Sequence, residues 1–194
     1  MVQIICYPHP TLRHVSKPLK RVDAELRKIV AQMLELMYAN KGIGLAANQV
    51  NLPYRLFVMN IEGNPDAHEA QHVLINPVLS RPKGIDEAEE GCLSLPGVVG
   101  MVKRAATIRV TAYGLDGREI STTLAGLTAR VVQHEADHLD GRLFIDRLSP
   151  TGEMEIRETL REFELQFVNQ RQLGQIPHDD QIAAHLAHLE TIRA

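Results

Sequence analysis

The sequence has little cysteine, no long hydrophobic run and no excess of positive charge, and each absence narrows the class of protein. Only two of its 194 residues are cysteines, Cys6 and Cys92, so at most one disulfide could form. No apolar stretch approaches the length that crosses a membrane, and residues 1–6 lack the basic and apolar regions of an export signal. We therefore expect a soluble protein of the reducing cytoplasm, with no membrane partner.

The net charge is −3, whereas proteins that follow nucleic-acid phosphates usually carry a basic excess. Direct recognition of nucleic acid is therefore not expected. The acidic balance belongs to residues 151–194, which hold four arginines and no lysine against eight acidic residues. The rest of the chain is close to neutral.

The hydrophobic content of 44% and the charged content of 23% suit one globular domain with a tail. Apolar residues at helical spacing predict a first helix over residues 24–39, with Asp23 as its N-cap and Gly42 in a left-handed C′ position. Residues 1–20, which are rich in proline, are expected to form an irregular arm.

Short β-rich runs follow, and Asp116-Gly117 is typical of a hairpin turn. The predicted strands cover residues 55–60, 72–79, 107–113 and 118–124. A second helix carries His134 and His138 on its apolar face, Ser149-Pro150 begins a third, and a short helix is possible over 180–191. The acidic run 86–90 is interpreted as a solvated loop, in which only Glu90 has a structural role. Strands and helices without βαβ alternation predict an α+β fold.

The most informative stretch is Gln133–Gly141, which contains His134, Glu135 and His138. Two histidines four residues apart on a helix project from one face, so both can bind one divalent metal ion. The glutamate beside them is suited to carry a proton in the hydrolysis of a carbonyl bond. The alternative is a pair of core histidines satisfied by backbone carbonyl groups.

A catalytic metal usually takes three protein ligands and keeps one position open, so the third ligand defines the class of hydrolase. The extended metalloprotease pattern would place a third histidine at position 144, which is Phe144 and excludes that pattern. Another protease pattern takes a downstream glutamate, for which the candidates are Glu155, Glu158 and Glu162. These side chains are expected to face solvent on the third helix.

Two other segments contain residues suited to metal binding or to stabilising a reaction intermediate. In Glu90–Ser94 a glycine-flanked turn holds Cys92, whose thiolate could complete a metal site; the alternative is a buried structural cysteine, which is our interpretation of Cys6. In Gly42–Gln49 small residues allow a close backbone approach, and the Gln49 amide could donate to a developing oxyanion. Alone, that segment is more often a helix C-cap and turn.

Together Gly42–Gln49, Glu90–Ser94 and Gln133–Gly141 resemble the three signature motifs of the peptide deformylase family, in the same order and with similar spacing. The resemblance implies an α+β fold in which a central metal-binding helix is surrounded by antiparallel sheets, with an N-terminal and a C-terminal helix. It implies removal of the formyl group from N-formylmethionine of newly synthesised polypeptides, with release of formate. We expect a catalytic domain over 1–168 and an extension of unknown role over 169–194.

The resemblance also assigns roles to individual residues. The metal ligands would be Cys92, His134 and His138. The ion would be Fe²⁺, for which Zn²⁺, Ni²⁺ or Co²⁺ can substitute. Glu135 would move the proton, and the Gln49 side chain with the Leu93 backbone N–H would bind the oxyanion. The residues that align the peptide or line the methionine pocket would be Ile43, Gly44, Gly91, Leu127 and Arg130.

One departure from the family concerns the pocket mouth, where several members carry an arginine and this chain has Val99. A second concerns the tail: a basic C-terminal helix docks some relatives on the ribosome, and the acidic balance here does not support such docking. Two other functions stay open, a zinc endopeptidase with a downstream glutamate ligand and a non-catalytic protein of the same fold.

Overall fold

The computed structural model describes residues 2–194 and has an α+β architecture, as the sequence predicts. Within these residues no helix has both the length and the apolar character required to cross a membrane. The helices and strands, in chain order, are α1 (Ala24–Ala39), β1 (Gly44–Ala46), β2 (Leu56–Met59), β3 (His72–Lys83), β4 (Asp86–Cys92), β5 (Leu95–Arg104), β6 (Thr107–Tyr113), β7 (Glu119–Ala125), α2 (Gly126–Leu139), α3 (Pro150–Gln172) and α4 (Asp179–Arg193).

The strands form two antiparallel sheets on either side of α2. A five-stranded sheet has the order β1-β2-β3-β6-β7, and β4 and β5 form a separate hairpin. One hydrophobic cluster joins α2 to the larger sheet through residues such as Val132, Phe57 and Val110. Hydrogen bonds from Arg130 on α2 reach the backbone of both hairpin strands, at Asp86 and at Val102. The helix is therefore central, as expected.

The first helix has the bounds that its apolar spacing predicts. Asp23 caps it by accepting a hydrogen bond from the Leu26 N–H at 2.8 Å. The prediction for its C-terminal end was wrong by one residue, because Lys41 and not Gly42 has a positive φ of 57°. Gly42 instead packs closely on a side chain: a Cβ atom there would lie 2.7 Å from Leu93 Cδ1, which would have to move.

The acidic run 86–90 is strand β4 and not a solvated loop. Strand pairing with β5 satisfies its backbone, and alternate residues face opposite sides of the hairpin. Glu90 points inward, where it is 7% exposed and paired with Arg104 and Arg130. Long-range ion pairs therefore stabilise a segment whose local composition favours a loop.

The tail folds back onto the N-terminal part of the chain. The predicted third helix begins at Ser149-Pro150 and continues to Gln172, and the possible fourth helix is present as α4. Ile182 and Leu186 of α4 are buried, whereas His185 and His188 are exposed. Helix α4 is thus packed against the rest of the chain, whereas most of residues 169–178 are exposed.

Candidate metal centre

Helix α2 and the β4–β5 turn bring one thiol and two imidazoles together. His134 and His138 lie one turn apart on the inner face of α2, with ring centroids 5.0 Å apart. Cys92 ends β4, and its Sγ lies 3.3 Å from His138 Nε2. One donor atom from each of the three residues lies within 4.8 Å of the others, which is the spacing of a site for a single ion.

The orientation of the His134 ring is fixed by a buried carboxylate that our sequence analysis did not place at the site. His134 Nδ1 lies 2.9 Å from Glu90 Oε2, so the other ring nitrogen is free to face Cys92. Arg104 binds both oxygens of Glu90, at 2.6 and 2.8 Å, and Arg130 binds Oε1 at 2.6 Å. A carboxylate behind a metal-binding imidazole holds its tautomer and raises its basicity.

The electrostatics of the three donors fit a cation. Burial alone would lower the pKa of His134, but hydrogen bonds to Cys92 and Glu90 outweigh it and raise the pKa to about 10. The negative groups around His134 therefore favour a positive charge at this position. Burial and the charge of His134 lower the pKa of His138, which keeps its ring neutral and its lone pair available. His138 Nδ1 has no hydrogen-bond partner within residues 2–194.

The pKa of Glu90 is shifted the other way. Burial favours its neutral form, but the hydrogen bonds from His134 and Arg104 dominate and lower the pKa to about 2. Glu90 is therefore ionised behind the site at any neutral pH. The signal that could have identified it is its position two residues before Cys92, on the side of β4 that alternation turns inward.

Glu135 is placed beside the three donors and carries no structural hydrogen bond on one oxygen. Its residue is 4% exposed, and burial raises its pKa to about 7. The Oε2 atom has no partner within the described part of the chain. A buried polar atom without a partner normally costs on the order of 1–3 kcal/mol, so a functional ligand for it is expected.

Gly44 packs directly on this carboxylate. A Cβ atom built at Gly44 would lie 2.3 Å from Glu135 Oε1, which is too close for any side chain. We expect Gly44→Ala to displace the Glu135 carboxylate and to lower kcat for formate release by about a hundredfold, the effect of a misplacement near 1 Å. The metal content, measured in parallel, should stay unchanged because the three atoms nearest to such a Cβ all belong to Glu135 and not to the three donors.

Gly152→Ala is the matched control for the Gly44 prediction. A Cβ atom at Gly152 would meet only ordinary contacts of 3.5 Å or more, in the first turn of α3. This variant should keep the kcat of the unmodified protein. A Gly44→Ala protein with full activity would show that the Glu135 carboxylate does not need its present position.

Gln49 faces the donors from the opposite side. Its Oε1 accepts the Ala46 N–H at 2.8 Å, which directs Nε2 towards the site. Nε2 lies 3.3 Å from Cys92 Sγ and 3.2 Å from the Ser94 hydroxyl. The buried amide is therefore a fixed hydrogen-bond donor next to the three candidate ligands.

One cavity of about 550 Å³ adjoins these residues. Of the site residues that the sequence predicts, the buried His138 does not line it, and the other ten do: Ile43, Gly44, Gln49, Gly91, Cys92, Leu93, Leu127, Arg130, His134 and Glu135. Two strand edges flank the cavity, since β1 pairs only with β2 and β4 only with β5 among the described residues. Val99 and Leu127, each about half exposed, form part of its apolar rim.

Arg130 borders the cavity with only part of its side chain. The guanidinium of Arg130 is bound to Glu90 and Asp86, so only its aliphatic stem is available to a ligand in the cavity.

The downstream glutamates of the protease hypothesis, Glu155, Glu158 and Glu162, are exposed on α3. None of them belongs to the only three-donor group within residues 2–194.

Comparison with known proteins places these features in a family. The model of the polypeptide deformylase family matches residues 1–154. A peptide deformylase of Rhodopirellula baltica is 48% identical over 191 residues, which cover 98% of this chain and 94% of that protein.

Solved structures agree with this result. The peptide deformylase of Plasmodium falciparum superposes with a TM-score of 0.84 at 34% identity, covering 86% of this chain and 98% of that one. The peptide deformylase of Legionella pneumophila gives a TM-score of 0.78 at 36% identity, with coverage of 91% and 99%. With its cavity, its three converging donors and its matching motifs, the chain belongs to the polypeptide deformylase family.

Proposed function

We propose that this member of the deformylase family removes the formyl group from N-formylmethionine of nascent polypeptides with Cys92, His134 and His138 as its metal ligands. The observation that carries the assignment is the convergence of these donors beside Glu135, in a cavity flanked by two open strand edges. The reaction breaks the amide bond between the formyl carbon and the methionine nitrogen, adds water and releases formate.

Ferrous iron is the ion that we propose, from the resemblance to the family. A thiolate with two imidazoles also suits Zn²⁺, Ni²⁺ and Co²⁺, so the choice depends on which metal the cell supplies. Any such ion contributes Lewis acidity, which lowers the pKa of a bound water and polarises the formyl carbonyl.

Glu135 is the proton carrier in this proposal. Its unpartnered Oε2 can accept the proton of the attacking water and then donate it to the departing amine. Because the residue is buried, its carboxylate is held in place between these two steps. Gln49 Nε2 and the Leu93 backbone N–H donate to the formyl oxygen, on which negative charge develops when water attacks the formyl carbon.

The remaining residues align the substrate. Ile43 and Gly44 border the cavity on one side and Gly91 on the other, so an extended peptide can pair with both edges as an added strand. Leu127 and the stem of Arg130 line the space for the methionine side chain. Formylated nascent chains in the cytoplasm are therefore the proposed partners, and the proposal includes no docking on the ribosome.

Formate release tests the function. The protein purified without oxygen and loaded with Fe²⁺ should release formate from formyl-Met-Ala, and removal of the ion by a chelator should abolish the release. Metal analysis of the purified protein should give one ion per chain. A loaded protein that binds the metal but releases no formate would support the non-catalytic alternative. Internal cleavage of longer peptides would support the endopeptidase.

A further inference from the structure

Helix α4 holds the N-terminal arm, residues 2–22, at three points. The Glu190 carboxylate lies 2.8 Å from His14 Nε2 and 2.7 Å from Lys17 Nζ. One helical turn later the Arg193 carbonyl accepts the Lys20 N–H at 2.8 Å. The Glu190 residue is 7% exposed, whereas the Lys17 side chain that pairs with it is largely exposed. The helix therefore fixes residues 14–20 of the arm.

The same part of the arm is bonded to the residue next to Gln49. Asn48 is fully buried, and its Nδ2 donates to the His14 carbonyl at 2.7 Å. The hydroxyl of Ser16 donates to Asn48 Oδ1, also at 2.7 Å. Both ends of the Asn48 amide are thus held by the stretch that α4 fixes.

The first part of the arm connects the two segments that carry Gln49 and Cys92. The Ile5 N–H donates to the Gln49 carbonyl at 2.9 Å, and the Tyr7 N–H donates to the Ser94 carbonyl at 2.9 Å. Because these two donors are only two residues apart in the arm, the arm limits how far the two segments can separate. The Gln49 amide and the Cys92 thiol face each other across that separation, at 3.3 Å.

We propose that α4 is a clasp that fixes Gln49 through the N-terminal arm, and that Glu190 is a positioning residue for the reaction. The inference rests on the proposed role of Gln49 as an oxyanion donor. It gives residues 169–194 a role, and it lies outside the part of the chain that the family model matches, which ends at residue 154. A donor to a transition state must be held within a fraction of an ångström, so loosening its anchor misdirects it without removing it.

The expected effect is on kcat and not on KM, because the hydrogen bond from Gln49 strengthens only in the transition state. We expect Glu190→Ala, in the full-length Fe²⁺-loaded protein, to lower kcat about three- to thirtyfold, the range typical of remote coupled residues. His14→Ala removes one of the two Glu190 contacts from its other side and should also lower kcat. The double variant should show no further fall beyond that of Glu190→Ala, since Glu190→Ala already removes the contact with His14.

The decisive measurement repeats Glu190→Ala in a Gln49→Ala background, well below the Tm of each variant. If α4 acts through Gln49, its loss has no further effect once that amide is gone. An equal fall in kcat in both backgrounds would overturn the proposal and leave Glu190 with a purely structural role, as would an unchanged kcat in both the Glu190→Ala and the His14→Ala proteins.

Asp180→Asn is the matched control, because this exposed carboxylate of α4 forms no ion pair within residues 2–194. It should keep full kcat. If Glu190→Ala does not fold, His14→Ala carries the test, since His14 is partly exposed and its backbone bond to Asn48 remains. An unmodified protein that releases no formate at all would overturn the proposed function itself, and with it the catalytic role of the clasp.

Discussion

Replacing Cys92 with alanine is expected to remove both the bound metal and the release of formate. The thiolate is one of three donors that lie within 4.8 Å of one another, and alanine has no atom that can replace it. Loss of a partner behind a metal ligand typically weakens metal binding about 10- to 100-fold, so loss of a ligand itself should exceed that range. Metal analysis after dialysis and an assay of formate release measure the two effects.

Cys6→Ala is the control for this experiment, because Cys6 is the other free cysteine and is not part of the three-donor group. Cys6 is exposed, so its interpretation as a buried structural cysteine was wrong. It should retain both metal and activity. The experiment also separates the two hydrolase hypotheses. An endopeptidase that used a glutamate of α3 as its third ligand would keep its metal and its rate in the Cys92→Ala protein.

Glu135→Gln is expected to abolish turnover while leaving the metal in place. Glutamine has nearly the same shape as glutamate but cannot accept and return a proton, and proton transfer by a positioned group contributes about 10²–10⁴-fold to the rate. Glu135 is not among the three donors, so the variant should bind one metal ion per chain. The variant therefore separates catalysis from metal binding, which Cys92→Ala cannot do.

Kinetics and metal content of Glu135→Gln should be compared with those of Glu89→Gln. Glu89 also borders the cavity, but it is exposed on β4, and its amide should leave kcat unchanged. A Glu135→Gln protein with undiminished kcat would rule out this residue as the proton carrier. Loss of the metal in that variant would instead indicate that the carboxylate contributes to the ion site.

Patterns of nearby residues correctly predicted the helices and strands that depend mainly on their own sequence. The apolar spacing and Asp23 cap of α1, and the alternation and turn at Asp116-Gly117, were sufficient because their determinants lie within one element. The β6 strand has the predicted bounds, 107–113, and its partner β7 begins one residue later than expected. Strand β4 was missed because its polar sequence depends on Arg104 and Arg130, which are distant in sequence from Glu90.

In the candidate site, too, features set by residues close in sequence were predicted and those set by distant residues were not. Helical spacing places His134, Glu135 and His138 together, and the motifs add Cys92 and Gln49, so the residues that line the cavity were predictable. The pairing of Glu90 with His134 was not predicted, because it joins residues 44 positions apart. The tail was the least predictable part. Its alternation of polar and apolar residues did not reveal that Glu190 and Arg193 contact the first 25 residues of the chain.

The contacts of α4 have a consequence for the order of maturation during synthesis. Glu190 pairs with a residue 176 positions earlier, and Arg193 pairs with one 170 positions earlier. Translation is vectorial, so these contacts cannot form until α4 has left the ribosome, after every other described element. Through most of translation the N-terminal arm therefore lacks its contacts with Glu190 and Arg193. The arm that connects the Gln49 and Cys92 segments is therefore anchored by a helix that is synthesised long after both of them.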